Sequence, residues 1–557
     1  LFLSIQRKDP SSIIEDCMNH CHQPVSPPLL GPTIRRLTVP ALLLVLGVSW
    51  AWAQTPATPA PAETVKLSSP EALALDRRLL DEARKDSQII PNLTYLCDVI
   101  GPRLTGSPAL KRANDWTADK LRSYGLSNVH LEPWTIPMAW ERGTATARIL
   151  EPENGRTLTV AASGWSPSTK GLVEGDVVIV TARNSKDLEA YKGKLKNAIV
   201  LRSPPTPVRP ITDTKMTPPG VFQGKRSGNA PSKSDKDGKD SKDAKETKEK
   251  GGRGRRDFSG DFGFRNEVSN FLRAEGAAVI LSDAAKPHSL LNMGGGWRGQ
   301  ERADAAEPIP TLFMIHEDYA LLYRLASRPP PARTRVAVEV RNKLIPGPVP
   351  VYNTVGEIPG KEKPQECVIL GAHLDSWDLG QGATDNGTGS MVVLEAARIL
   401  SKCGVTPRRT IRFVLFTGEE QGLYGSRAYV TKHKDELARI SMVLVHDTGT
   451  GKVTGIGLQG RKNLIPLMQS ELVSLKEVGC ATINERTMGG TDHLSFDREG
   501  VPAFACQQDM DEYRFTHHSQ SDTLDKAREP NLIQGAQVMA VAAMRVANLD
   551  LMLPREK

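Results

Sequence analysis

Three short apolar runs constrain what this chain can fold into. Residues 367–372 (CVILGA), 411–416 (IRFVLF) and 442–445 (MVLV) are almost unbroken by polar side chains. Each is short for a helix, and none alternates polar with apolar as a strand wetted on one face does. They read as strands buried on both faces of a sheet. Helical patterns at 389–401 and 532–547 separate or follow them. From about Pro348 onward this alternation predicts an α/β fold, a sheet packed between helices.

The rest of the chain has a different texture. With 557 residues it is long enough for two or three domains. Helical patterns cover 69–84 and 109–124, the second stopped by Gly125, and 130–140 looks extended. Between 144 and 340 come β-like runs at 176–181, 198–201, 278–281 and 336–340, with a helix-like run at 268–275. This predicts a mixed or mainly-β domain, 144–346, inserted between two parts of the α/β domain, 54–143 and 347–557. Within the insert, 224–257 contains no apolar residue beyond Ala and Pro. Such a run cannot bury a core and is expected to be a disordered loop; the functional alternative is a tether to an anionic surface.

Charge excludes one class of function. The net charge is +8, but 225–257 alone holds twelve Lys/Arg against seven Asp/Glu. The remainder is close to neutral, so a nucleic-acid-binding surface is not expected. Near the start, Arg35 and Arg36 precede an apolar core ending Ala51-Trp-Ala53. These are the parts of a secretory signal peptide, with 1–53 as leader and cleavage after Ala53. The run is short for a membrane span and broken by Pro40, so no stable span is expected after cleavage. The chain opens with Leu1, and an initiator at Met18 gives a leader of ordinary length. Residues 54–66 read as a flexible mature N-terminus. Of seven cysteines, Cys17 and Cys21 lie in the leader, and the other five are scattered without a disulfide framework.

Polar residues able to do chemistry cluster just after the predicted strands, where ligands bind in open α/β sheets. After the first come His373, Asp375 and Asp385-Asn386; after the second, Glu419-Glu420; after the third, His446-Asp447. Near the end stands Tyr513-Arg-Phe-Thr-His517-His518-Ser-Gln-Ser-Asp522. Any one of these is commonplace: an acidic pair is usually solvated, and Asp-Asn-Gly is an ordinary turn. Their joint placement is not. Zinc takes imidazole nitrogen and carboxylate oxygen, and two ions about 3.5–4 Å apart need a bridging carboxylate. Asp385 would bridge, His373 and Asp447 would serve one ion, and Glu420 and His518 the other. Asp375 would orient His373 by accepting its other N–H, and Asp522 would do the same for His518. Glu419 would be the general base. Tyr513 is either a donor to a tetrahedral intermediate or a packed aromatic. Neither Asp492 nor His493 reads as a ligand.

At these residues the sequence resembles the co-catalytic zinc aminopeptidase and carboxypeptidase superfamily. His373-Leu-Asp375, Asp385-Asn-Gly-Thr-Gly, Gly-Glu419-Glu420-Gln-Gly, Asp447 and His518-Ser-x-x-Asp-Thr match its ordered pattern. Two distant segments, 101–107 (GPRLTGS) and 131–143 (LEPWTIPMAWERG), and the double His517-His518 resemble its carboxypeptidase Q branch. The resemblance implies a mixed sheet sandwiched by helices, the phosphorylase/hydrolase-like zinc exopeptidase fold. It also implies that the mainly-β insert is a protease-associated (PA) domain. It implies two Zn²⁺ per chain, His518 rather than His517 as ligand, a strained or cis peptide after Asp385, and often a homodimer. The chain departs from the pattern at 224–257 and at Ser521, where Gly is commoner.

The expected function is therefore a secreted or periplasmic zinc exopeptidase hydrolysing dipeptides or short peptides, with Glu419 as base. Two other classes compete: a catalytically inactive receptor-like module on the same fold, and a single-zinc acyl transferase resembling glutaminyl cyclase.

Overall fold

The computed structural model describes residues 69–208, 258–297, 300, 307–510 and 512–557. The expected signal peptide, the stretch 54–66, Cys17, Cys21 and the charged run 224–257 lie outside the described residues.

After the helices Pro70–Lys85 and Pro108–Ser123 comes a long strand, β1 (Ser127–Glu151). It is followed by β2 (Thr157–Leu158), β3 (Val160–Ala162), β4 (Val173–Ile179), β5 (Ile199–Leu201), β6 (Val279–Asp283) and β7 (Thr311–Met314). A second long strand, β8 (Arg335–Ile358), leads into β9 (Lys363–His373), β10 (Arg409–Phe416), β11 (Ile440–Val445), β12 (Val453–Gly457), β13 (Thr482–Asn484) and β14 (Ala503–Gln508). Neighbours run β13-β12-β14-β11-β9-β10-β8-β4-β5-β6-β7-β3, with β1 on β8 and β2 on β1.

The three apolar runs are β9, β10 and β11, side by side and parallel in the middle of this sheet. Their composition follows from the pleat. Val368, Leu370, Ala372, Ile411, Phe413, Leu415, Met442 and Leu444 enter one apolar cluster. The alternate residues Cys367, Ile369, Val414, Phe416, Val443 and Val445 enter another on the opposite face. Both faces are dry, so both parities are apolar except at Arg412, which pairs with Glu357 of the neighbouring β8. The helices Thr388–Lys402 and Glu529–Ala547 bury nearly all their residues in this core. β14 lies parallel to β11, and β8 and β12 close this part of the sheet antiparallel, making it mixed.

The N-terminal helices begin where their sequences permit. Ser69 and Ser107 accept hydrogen bonds from backbone N–H groups of the first turns, with Pro next in each. Gly125, at φ +83°, takes the left-handed turn that stops the second helix. The helix Pro70–Lys85 is tied to Glu529–Ala547 by a buried ion pair. Arg545 donates from Nε and Nη2 to Asp76 at 3.0 and 2.7 Å, and Ser474 Oγ donates to the same carboxylate.

β1 and β8 pair from Ser127↔Glu357 to Glu151↔Arg335. Both strands continue past 143–144 and 346–347, the domain limits expected from the sequence, although the ladder between them shifts register there, between Glu141 and Thr144 and between Ile136 and Met138. Between them, β4, β5, β6 and β7 are parallel neighbours, and β3 closes the edge antiparallel to β7. The mainly-β expectation needs correction here. Parallel neighbours require crossovers, and helical layers are supplied by Phe258–Ala274, of which the sequence marked only 268–275, and by His316–Ala326, which it did not mark. A small core of Val180, Leu195, Val200, Leu272 and Ile280 packs beneath the first of these. The sequence reading also omits β12, β13 and β14, which are three to six residues long. Among the described residues, all five cysteines are free and no helix is long and apolar enough to cross a membrane.

Breaking one partner of a buried ion pair leaves an uncompensated charge, at a cost of about 3–5 kcal/mol. Asp76→Ala is therefore expected to lower the urea midpoint of unfolding by that equivalent. An unchanged midpoint would show that the two terminal helices are held by apolar packing alone.

Candidate metal centre

The site forms at the carboxyl ends of the central strands. His373 is the last residue of β9; Glu419 and Glu420 follow β10; Asp447 follows β11. Asp385 lies just before the helix Thr388–Lys402, next to a cis peptide to Asn386. Gly389 lets that helix approach: a Cβ there would stand 2.3 Å from the His446 carbonyl oxygen. His517 and His518 follow the short helix Tyr513–Thr516.

All five predicted ligands meet at Asp385. His373 Nε2 lies 3.1 Å from Asp447 Oδ1 and 3.4 Å from Asp385 Oδ1. On the other side, His518 Nε2 lies 2.9 Å from Glu420 Oε2 and 3.6 Å from Asp385 Oδ2. The two oxygens of one carboxylate thus face separate His–carboxylate pairs. His517 is stacked on His518 at 3.7 Å between ring centres, and its Nε2 lies 4.0 Å from Asp385 Oδ2.

The charge and hydrogen bonding of these residues suit a cation. His373 Nδ1 lies 3.0 Å from the Asp375 carbonyl oxygen. A carbonyl only accepts, so Nδ1 carries the proton, and Nε2 of a neutral ring presents a lone pair to two carboxylates. A shared cation removes that conflict. Asp385 Oδ2 and Glu420 Oε1 are buried without hydrogen-bond partners. Titration tendencies reflect the same crowding. Burial alone would depress the His373 imidazole, but Asp447, Asp375 and Asp385 push it well above its ordinary value. Burial, together with Asp385, lifts the Glu420 carboxyl well above the carboxylate range. Burial also lifts Glu419, opposed by His373 and reinforced by Asp447, Asp492 and Glu420.

Buried groups behind the cluster hold it in place. Asp375 Oδ2 accepts from Thr105 Oγ1 at 2.9 Å, and the Asp375 carboxylate faces the backbone N–H groups of Glu419 and Glu420 at 3.3 and 3.4 Å. It therefore steadies both the His373 side and the acidic pair. Asp522, expected to orient His518, does something else. It accepts from the N–H and hydroxyl of Thr384 at 2.6 and 2.8 Å and from the N–H of Asp385 at 3.2 Å, fixing the loop that carries Asp385. Arg103 is fully buried and donates to the carbonyls of Leu374, Gln381 and Gly382, bracing the loop between His373 and Asp385. Arg142 forms a two-pronged pair with Asp378, and the Trp134 indole donates to Thr417 just before the acidic pair. Sequence reasoning marks 101–107 and 131–143 only by resemblance; their physical role is visible in these contacts.

A cavity of about 540 Å³ opens onto the cluster. Glu419, Glu420, Asp385, Asp447, His518, Tyr513 and Gly295 contribute to its walls. Burial, with Asp385, Asp447 and Glu420 nearby, pushes the Tyr513 hydroxyl well above its ordinary value. Asp492 is fully buried near Glu419 with neither oxygen paired, and His493 meets Gln459 and the Met488 carbonyl; neither belongs to the ligand cluster. Gly295 comes from the region between β1 and β8, a contribution with no sequence signal.

The family model described as "Peptidase family M28" matches residues 353–543. Carboxypeptidase Q of Mus musculus is 30% identical over 463 residues, spanning 83% of this chain and 86% of that protein. Carboxypeptidase Q of Homo sapiens is 30% identical over 466 residues, with the same shares. Among solved structures, a peptidase M28 precursor from Shewanella amazonensis SB2B superposes with a TM-score of 0.67 at 27% identity, covering 87% of this chain and 98% of that one. BSAP, a zinc aminopeptidase from Bacillus subtilis, shares the fold, with a TM-score of 0.55 at 19% identity over 83% of this chain and 93% of that one.

A ligand that binds only the folded state stabilises it, by about 2.7 kcal/mol at a hundredfold excess over Kd. Zinc is expected to raise the unfolding midpoint accordingly, and Asp385→Asn to abolish the gain. Because metal ligands must be deprotonated, the gain shrinks as pH falls. A pH-independent gain retained in Asp385→Asn would place the cation elsewhere.

Proposed function

The chain belongs to peptidase family M28, and on that premise we propose that it is a zinc-dependent exopeptidase holding two ions on a bridging Asp385. The observation that carries the reading is the division of Asp385: one oxygen faces His373 and Asp447, the other faces His518 and Glu420. All five positions carry oxygen or nitrogen donors of the kind zinc takes. That completeness speaks against an inactive module, and the two separate pairs speak against a single-zinc transferase.

When bound, zinc supplies Lewis acidity, lowering the pKa of water toward neutrality and polarising the scissile carbonyl. The protein's own residues do the rest. Glu419 lines the cavity without belonging to either pair, and burial keeps its carboxyl proton-seeking. It takes a proton from the attacking water and delivers it to the leaving amine. Asp375 holds His373 in the tautomer with Nδ1 protonated and anchors the Glu419 backbone. Tyr513 is positioned to donate to the oxygen that gains charge as the carbonyl is attacked.

Substrates on this reading are dipeptides or short peptides, because the cavity has the volume of a small-ligand site rather than a cleft for a folded protein. The relatives named carboxypeptidase Q support removal of residues from a peptide end. The region between β1 and β8 is proposed as the inserted domain, and the leader pattern at 35–53 supports a secreted or periplasmic location.

Glu419→Gln is expected to lower kcat by about 10²–10⁴-fold while zinc per chain, read by atomic absorption, stays as in the parent. Turnover retained in that variant would remove Glu419 as the base. His518→Ala is expected to lose zinc where His517→Ala keeps it; the reverse pattern would exchange their roles.

A further inference from the structure

Four of the five ligands follow core strands or immediately precede a core helix, but His518 follows only the four-residue helix Tyr513–Thr516. Its backbone sits at φ +56°, a left-handed conformation uncommon outside glycine. Such a conformation persists where its surroundings over-determine it. Those surroundings come from the region between β1 and β8, through a strap of residues 286–297.

The strap grips the turn at successive residues. The Met293 N–H donates to the His518 carbonyl at 2.7 Å. Lys286, 8% exposed, donates from Nζ to the His517 carbonyl at 2.5 Å and the Arg514 carbonyl at 3.3 Å. The Leu291 N–H donates to Gln520 Oε1 at 2.9 Å, and Gln520 Nε2 returns a bond to the Ser289 carbonyl at 3.0 Å. The same strap ends in Gly295, on the cavity wall, and Trp297, whose ring packs 4.8 Å from that of Tyr424. A buried ammonium satisfied by two backbone carbonyls is a device for fixing backbone, not for binding solvent.

We infer that Lys286 and the strap around it are positioning elements for His518, setting the zinc affinity of the His518–Glu420 half of the site and leaving the His373–Asp447 half alone. The inference rests on the two-ion reading above. Groups behind metal ligands typically govern affinity by about 10–100-fold.

The test is a zinc competition titration of the full chain against a chelator, with visible spectra of the cobalt-substituted protein as a second readout. Lys286→Met is expected to weaken one of two binding events by about 10–100-fold and to alter the cobalt bands of that event alone. Gln520→Ala, at a half-buried side chain, should weaken the same event less. Thermal midpoints of the metal-free variants check that they are folded. Two events that move together, or neither moving in a folded variant, would overturn the inference. If Lys286→Met does not fold, Gln520→Ala decides alone. A single zinc event in the parent overturns the two-ion reading by itself. The strap inference then stands if Lys286→Met and His518→Ala weaken that event alike, and falls if Lys286→Met leaves it unchanged.

Discussion

Asp385, Glu420, Asp447, Asp375 and Glu419 gather around His373, His517 and His518 at the carboxyl end of a dry sheet. Ionised carboxylates taken from water are stable only if paired, and three rings do not balance five acids. Asp385 shares its two oxygens between the halves of the cluster and leaves Oδ2 without a hydrogen-bond partner. This demand for positive charge governs the surrounding structure. It makes the site a place for cations, and it requires that the acids be held where a cation can meet them.

Buried groups outside the ligand set do that holding. Asp522 fastens the Thr384–Asp385 backbone, Thr105 fastens Asp375, and Arg103 ties three carbonyls of the intervening loop. Most of these bonds run between segments far apart in sequence. Arg103 and Leu374, for example, are separated by 271 positions. The long ribbon of β1 and β8 joins the sheet that carries the cluster to the region that contributes Gly295 to the cavity wall. Catalysis needs ligands placed to fractions of an ångström, and contacts of this kind turn a set of suitable residues into a site.

Much of this was legible in the linear chain. The runs that became β9, β10 and β11 are apolar apart from Arg412 because both faces of the sheet are covered. Strand ends then located His373, Glu419, Glu420 and Asp447, because side chains at the carboxyl ends of parallel strands converge. The longer helices were readable from their helical patterns and, for the second, from the Gly125 stop. Short elements carry no period, so β12, β13 and β14 escaped notice. The helix His316–Ala326 was hidden in a region read for its strands.

By itself, then, the sequence determined the central α/β character and the placing of His373, Glu419, Glu420 and Asp447 at or just after strand ends. These depend on local composition and on the rule that acids and imidazoles follow strands. The tertiary structure alone decided that Asp522 serves the Asp385 loop rather than His518, and that Asp375 faces the acidic pair as well as His373. It alone brought Lys286 and Met293 onto the turn that carries a ligand. Hydrogen-bond partners tens to hundreds of residues apart leave no mark in spacing or periodicity. They are set by which loops the folded sheet brings together.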